Sequence, residues 1–186
     1  KLLESFMAYV WENEPEVNII HVNFNLNAYE NLTEYHVLHD YIENAYLPDK
    51  NNFVFIDEVQ MCSGFEKAIN SLHASEKYDI YITGSNAFLL SSDLATLFTG
   101  RTFEIEVFPF SFGEFMRYFE LTDPYVAFNR YIQEGGMSGS YLYKTQESKY
   151  DYISDVFNTL IVRDIQRKYG IRNMPLMERL CDFLID

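Results

Sequence analysis

Apolar residues recur along this chain with two periods, and the switches between them mark its elements. Leu2, Leu3, Phe6, Met7 and Val10 keep helical spacing and predict a helix over Lys1 to Trp11. Pro15, set among Glu12, Glu14 and Glu16, breaks it, and Val17 to Phe24 follows as a short apolar run rich in β-branched residues, which reads as a buried strand. Helical spacing returns with Leu32, Tyr35, His36, Leu38, His39, Ile42 and Tyr46, predicting a helix over Ala28 to Tyr46 that Pro48-Asp49-Lys50-Asn51 ends. Phe53 to Ile56 is a second apolar strand, stopped by Asp57-Glu58. A helix over Gly64 to Ser75 carries Phe65, Ala68, Ile69 and Leu72 on one face, and Tyr78 to Ile82 is a third buried strand. A short helix is expected over Ala87 to Leu97. In Thr102 to Val107, Phe103, Ile105 and Val107 alternate with Glu104 and Glu106, as in a half-exposed strand.

Strand and helix thus alternate as far as Val107, and the earlier strands are too hydrophobic to face water on either side. The expected fold is α/β, with a parallel sheet covered on both faces in three layers. Beyond Pro109 only helices are predicted, over Ser111 to Phe119, Pro124 to Glu134, Tyr150 to Tyr169 and Pro175 to the end. In the third of these, Ile153, Val156, Phe157, Leu160, Ile161 and Ile165 form one apolar stripe, which core packing explains. The expected division is an α/β core over 1–108 and a helical, lid-like region over 109–186.

Composition narrows the function. The 186 residues are 48% hydrophobic and 17% aromatic, which argues for a packed core with large flat surfaces and against disorder. With 28 acidic against 14 basic residues and a formal charge of -14, general nucleic-acid binding is disfavoured. Arg163, Arg167, Lys168 and Arg172 are the one local basic cluster, better read as a solvated helix end. Cys62 and Cys181 have no metal-ligand spacing and suit a reducing compartment, so cytoplasm is the expected location, and no window is apolar enough to span a membrane. The chain begins at Lys1, already within helical periodicity, so a preceding segment is expected.

The candidate chemistry lies at strand ends. In open parallel α/β sheets ligands bind in the crevice beyond the carboxyl ends of the strands, and Asp57-Glu58 stands there. Asp57 can hold Mg²⁺ directly or through water, and Glu58 can orient or deprotonate a water attacking a γ-phosphate. Taken alone, such a pair more often simply ends a strand in solvent. The next strand, however, ends in Thr83-Gly84-Ser85-Asn86, where Thr83, Ser85 and Asn86 could hydrogen-bond a phosphate or the attacking water. An ordinary turn with Ser85 or Asn86 as helix cap is compatible with that role.

The order Asn23, Phe-Ile-Asp-Glu-Val-Gln, Ile-Thr-Gly-Ser-Asn, Gly100-Arg101 and Pro109-Phe-Ser-Phe-Gly-Glu-Phe115 resembles a family of prokaryotic AAA+ ATPases, P-loop NTPases, over nearly the whole chain. The resemblance implies an ATP-binding, Mg²⁺-dependent ATPase. Asp57 would be the Mg²⁺-side Walker B acid, Glu58 the catalytic glutamate, and Ser85-Asn86 the sensor-1 position. Arg101 would offer positive charge to a phosphate in its own or a neighbouring subunit, although an ion pair with Glu104 or Glu106 explains it equally well. A further carboxyl-terminal domain and a homo-oligomer or protein partner are also implied.

The departures from that pattern bear on function. No G-x-x-x-x-G-K-[ST] phosphate loop occurs in the chain. In relatives it precedes a helix opening with a Leu pair, so it is expected immediately upstream of Lys1, and this chain alone is expected to bind ATP weakly. Gly135-Gly136-Met137-Ser138-Gly139 follows a helix and precedes no strand, which favours a helix cap and turn, and Ser138 stands where many relatives carry proline. His36, His39 and Asp40 have ligand-like spacing, but an exposed helix surface explains them better. Two rival functions remain: a nucleotide-independent interaction module on the same fold, and a metal-dependent phosphodiesterase using Asp57, Glu58 and Glu104.

Overall fold

The computed structural model describes residues 1–84, 98, 100–160 and 170–185, and the chain divides into two compact units, Lys1–Thr102 and Phe103–Asp186. The expected helix over Ala87 to Leu97 lies outside the described residues, as do Arg163, Arg167 and Lys168 of the basic cluster and the second half of the helix predicted to reach Tyr169.

The first unit runs α1 (Leu2–Asn13), β1 (Val17–Asn23), a 3-10 turn (Asn27–Leu32), α2 (Tyr35–Asn44), β2 (Asn51–Asp57), a second 3-10 turn (Val59–Met61), α3 (Phe65–Ala74) and β3 (Tyr78–Ile82). The strands form a parallel sheet in the order β1-β2-β3, with Asn23 opposite Asp57 and Ile56 opposite Ile82. The α/β architecture expected from the alternation is present, and it is consistent with the P-loop NTPase-like fold that the resemblance implies. As the central strand, β2 is flanked on both sides and covered on both faces. Phe53, Val54, Phe55 and Ile56 are all buried, which is why that segment reads as a continuous apolar run rather than an alternating one.

The two faces of the sheet pack differently. Ile20, Val22, Val54 and Ile56 meet Leu38 and Ile42 of α2 and Phe65, Ala68, Ile69 and Leu72 of α3 in one mainly aliphatic cluster. On the opposite face Phe53, Phe55 and Tyr81 lie nearly parallel, with Phe55 and Tyr81 ring centroids 5.1 Å apart. The ring of Phe6 on α1 packs edge-on against Tyr81 at 4.9 Å. Burying one such side chain stabilises by about 1.5–3 kcal/mol. The entry to β2 is fixed by buried Asn52, whose amide donates to the carbonyls of Leu47 and Lys50 at 2.8 and 2.7 Å and accepts from Asn18 and the Leu47 N–H.

Two expectations need correction in this unit. The helix predicted over Ala28 to Tyr46 is split, because Glu34 is extended and bridges to Ser63: the Ser63 N–H donates to Thr33 O at 2.7 Å and the Tyr35 N–H to Ser63 O at 3.1 Å. Those backbone groups are unavailable for a continuous helix. The strand predicted over Thr102 to Val107, which crosses into the second unit, pairs with no described strand. Phe103, Ile105 and Val107 stay 89%, 72% and 66% exposed, since alternation marks a strand only when a neighbouring strand takes up its N–H and C=O groups.

The second unit contains α4 (Phe112–Tyr118), α5 (Pro124–Glu134), a 3-10 turn (Ser138–Leu142), α6 (Gln146–Thr159) and α7 (Met174–Ile185). Ser111 and Glu114 form a reciprocal capping box at the start of α4, and the Asp123 side chain caps α5 with Pro124 behind it. Phe115 is fully buried, its ring centroid 4.7 Å from Phe119 and 5.1 Å from Tyr131. Of the stripe expected on α6 and beyond, Ile153 and Val156 are half-buried and Phe157 and Leu160 exposed, while Ile161 and Ile165 lie outside the described residues. Periodicity identifies a face but not what covers it.

Candidate functional site

Asp57 and Glu58 stand at the carboxyl end of β2, where the chain leaves the buried sheet, and both side chains are half-buried. Four hydrogen bonds tie this end to the next strand. The Thr83 N–H donates to Ile56 O at 2.8 Å, extending the pairing one residue past β3, and the Val59 N–H donates to Thr83 O at 3.0 Å. The Thr83 hydroxyl donates to Asp57 Oδ1, while its oxygen lies 3.4 Å from the Glu58 backbone nitrogen as acceptor. A single threonine thereby fixes one carboxylate and the backbone of the other. On the opposite side the Phe24 N–H donates to Asp57 O at 3.2 Å, and Asn23 Oδ1 accepts from the Asn25 N–H.

Glu58 adopts a left-handed backbone, φ 59° and ψ 47°, at the start of the 3-10 turn Val59–Met61. For a residue with a Cβ this costs roughly 1–2 kcal/mol. It turns the chain so that Val59 and Cys62 drop into the core, where they are essentially inaccessible. Glu16, Glu76 and Glu120 also have positive φ, so the backbone alone does not mark Glu58 as functional. Its side chain does have a distinctive neighbour, since Gln60 Nε2 donates to Glu58 Oε2. Gln60 ends the Phe-Ile-Asp-Glu-Val-Gln run, which by itself assigns it no role. Its position two residues past the acid was the only available signal.

The residues expected to act together are therefore partly assembled: Asp57, Glu58 and Thr83 touch. Ser85 and Asn86 lie outside the described residues. Arg101 is exposed, its backbone N–H donating to Phe98 O, and no hydrogen bond or ion pair joins it to Asp57, Glu58 or Thr83 among the described residues. Glu104 is exposed on the unpaired segment after Thr102. Among the described residues no group of three or more His, Cys, Asp and Glu side chains could hold a metal ion, so the phosphodiesterase reading gains no support. Asp57 nevertheless fits one Mg²⁺, which takes only one or two protein carboxylates and completes its shell with waters and phosphate oxygens. The Thr83 bond occupies one acceptor position of that carboxylate and leaves the others available.

Other candidates resolve into structure. His36, His39 and Asp40 line a shallow groove of about 220 Å³ between α2 and α3, where His39 Nε2 lies 3.0 Å from Ser71 Oγ and Lys67 sits over the Tyr35 ring. Gly135 caps α5 at φ 68°, and a Cβ on Gly136 would collide with the Phe110 carbonyl, so the glycine cluster serves close packing. Cys62 and Cys181 are free, and burial pushes the Cys62 thiol up to about 11, which keeps it unreactive. Among the described residues no helix is long and apolar enough to cross a membrane.

An uncharacterized protein of Haemophilus influenzae is 31% identical over 176 residues, covering 91% of this chain and 43% of its own length. An uncharacterized protein of Methanocaldococcus jannaschii is 28% identical over 144 residues, covering 72% of this chain and 32% of its own. The chain thus spans less than half the length of these curated relatives. No solved structure gives a significant match. A family model described as "AAA domain" matches residues 2–116, more than half of the chain, taking in Asp57, Glu58 and Thr83. This chain belongs to that AAA domain family.

Proposed function

We propose that this chain carries the Walker B half of an ATP-hydrolysing site, with Asp57, Glu58 and Thr83 as its described members. The observation supporting this most directly is the Thr83 hydroxyl bonded to Asp57, which joins an acidic strand end to the polar end of the neighbouring strand. An acidic pair that merely ended a strand would need no such partner.

In this reading Asp57 supplies a carboxylate oxygen on the metal side, held in place by the Thr83 hydroxyl. Mg²⁺, when bound, neutralises charge on the β- and γ-phosphates of ATP. Glu58 orients the attacking water and accepts its proton at a carboxylate oxygen as the water adds in line to the γ-phosphorus and the bond to the β,γ-bridging oxygen breaks, releasing ADP and phosphate. Ser85 and Asn86 hydrogen-bond the γ-phosphate or the water, and Arg101 places positive charge on a phosphate of its own or a neighbouring subunit. The free cysteines are in keeping with a cytoplasmic location. A homo-oligomer or protein partner belongs to the same reading.

The test is steady-state ATP hydrolysis by the natural full-length protein. Glu58→Gln removes the proton acceptor, and kcat should fall by about 100-fold or more while nucleotide binding persists. An unchanged rate overturns the proposal. The 186-residue chain has no G-x-x-x-x-G-K-[ST] loop to cradle phosphates, so its titration with ATP and Mg²⁺ should show no tight binding. Submicromolar affinity would contradict that expectation.

A further inference from the structure

Gln60 is a polar side chain at the strand end that the proposed reaction does not use. Its amide Nε2 donates to Glu58 Oε2, while its Oε1 is buried without a hydrogen-bond partner among the described residues. Turning the amide over would direct its oxygen at a carboxylate oxygen, an acceptor facing an acceptor, so the bond to Glu58 fixes the orientation. A buried carbonyl left without a donor is unfavourable, and here it accompanies an N–H directed at the carboxylate. The turn that carries Gln60 is anchored on both sides: Val59 and Cys62 are buried in the core, and the Val59 N–H is bonded to Thr83 O. The amide is therefore presented from a fixed platform and not from a loose loop.

We infer that Gln60 is a positioning residue for Glu58. The inference rests on the ATPase reading above, in which Glu58 takes a proton from water. A carboxylate on a half-buried turn rotates among several orientations, and only some direct a lone pair at the attacking water. By occupying Oε2, Gln60 selects among them and leaves Oε1 to accept the proton. A base held by a third group is the usual arrangement in proton-abstracting sites, and removing the holding group lowers turnover without removing the base.

The experiment is a double-mutant cycle in the natural full-length protein. Gln60→Met keeps the length of the side chain and removes its N–H groups. It should lower kcat for ATP by about 10- to 100-fold, with KM within about twofold of wild type. In a Glu58→Gln background the same change should have no further effect on single-turnover rate, because its target is already gone. Equal losses in both backgrounds, or a kcat within about twofold of wild type, would overturn the inference. Should Gln60→Met fold poorly, Gln60→Leu removes the donor without adding a carboxyl beside Glu58 and repeats the test by the same two criteria. Wild-type turnover that is indifferent to Glu58→Gln would bring down the ATPase reading itself. Turnover that depends on Glu58 but not on Gln60 would overturn only the positioning role.

Discussion

Up to Thr102 the chain builds its interior around a buried strand, and from Phe103 onward it builds one around a buried carboxylate. In the first unit β2 is covered by aliphatic side chains on one face and stacked rings on the other, and its buried polar residue, Asn52, closes a turn. In the second unit, among the described residues, the buried hydrophobics are Phe115 and Ala127 only, beside buried Glu134, Ser140 and Lys149. Glu134 is salt-bridged to Arg130 and Lys149, each at 2.6 Å, while Arg130 lies 3.7 Å over the Phe119 ring. Burial pushes the Glu134 carboxyl up, but hydrogen bonds from Arg130 and Lys149 outweigh it and hold it below the ordinary value. Burial also pushes the Tyr141 phenol up to about 12, and its hydroxyl donates to Gly135 O at 2.6 Å. The difference teaches where tolerance lies. An apolar interior loses stability in proportion to the volume removed, whereas a buried ion group fails abruptly when one partner goes.

The comparison is broken most severely at Phe55, which is fully buried. Phe55→Ala should cost about 4 kcal/mol by chemical denaturation. Residue-resolved hydrogen exchange should place the lost protection in β2 and its neighbours. Loss spread evenly over both units would refute the contrast drawn here.

Next in size is Glu134→Gln, which leaves Lys149 buried without its counter-charge and should cost about 3 kcal/mol at neutral pH. Because the folded-state pKa of Glu134 is depressed, its contribution is complete above the unfolded value of about 4.3 and disappears as pH falls through the lower folded value. The stability gap between wild type and variant should therefore be constant from pH 7 to about 5 and close only in more acid solution. A gap that closes above pH 6 would show that the carboxylate is not held as described.

The smallest effect belongs to the Ser111 cap. Ser111→Ala removes the acceptor for the Glu114 N–H and should cost about 1 kcal/mol, confined to the second unit. A null effect would mean that α4 is held by Phe115 packing alone.

Much of this was legible in the chain because the relevant signals are local. The three strands of the sheet and α1, α3, α4, α5 and α7 follow from spacing, capping residues and breakers within a few positions of each element. The Asp57-Glu58 pair was visible because a fully buried strand must end abruptly on polar residues. What escaped reading involves partners far apart in sequence. Glu34 meets Ser63 and divides a helix, Thr83 reaches Asp57 across 26 positions, and Lys149 reaches Glu134 across 15. Phe103, Ile105 and Val107 alternate correctly but have no described strand beside them.

The sequence by itself determined the α/β alternation, the central apolar strand and the acids at its end, since burial on both faces and the polar stop that follows are written in consecutive residues. Only the tertiary structure decided how those acids are held. The Thr83 hydroxyl on Asp57, the left-handed turn at Glu58 and the Gln60 amide on the Glu58 carboxylate depend on strand register and on where Val59 and Cys62 find core to fill. Periodicity reports which way a side chain faces, and the distances that make chemistry arise when separate segments pack.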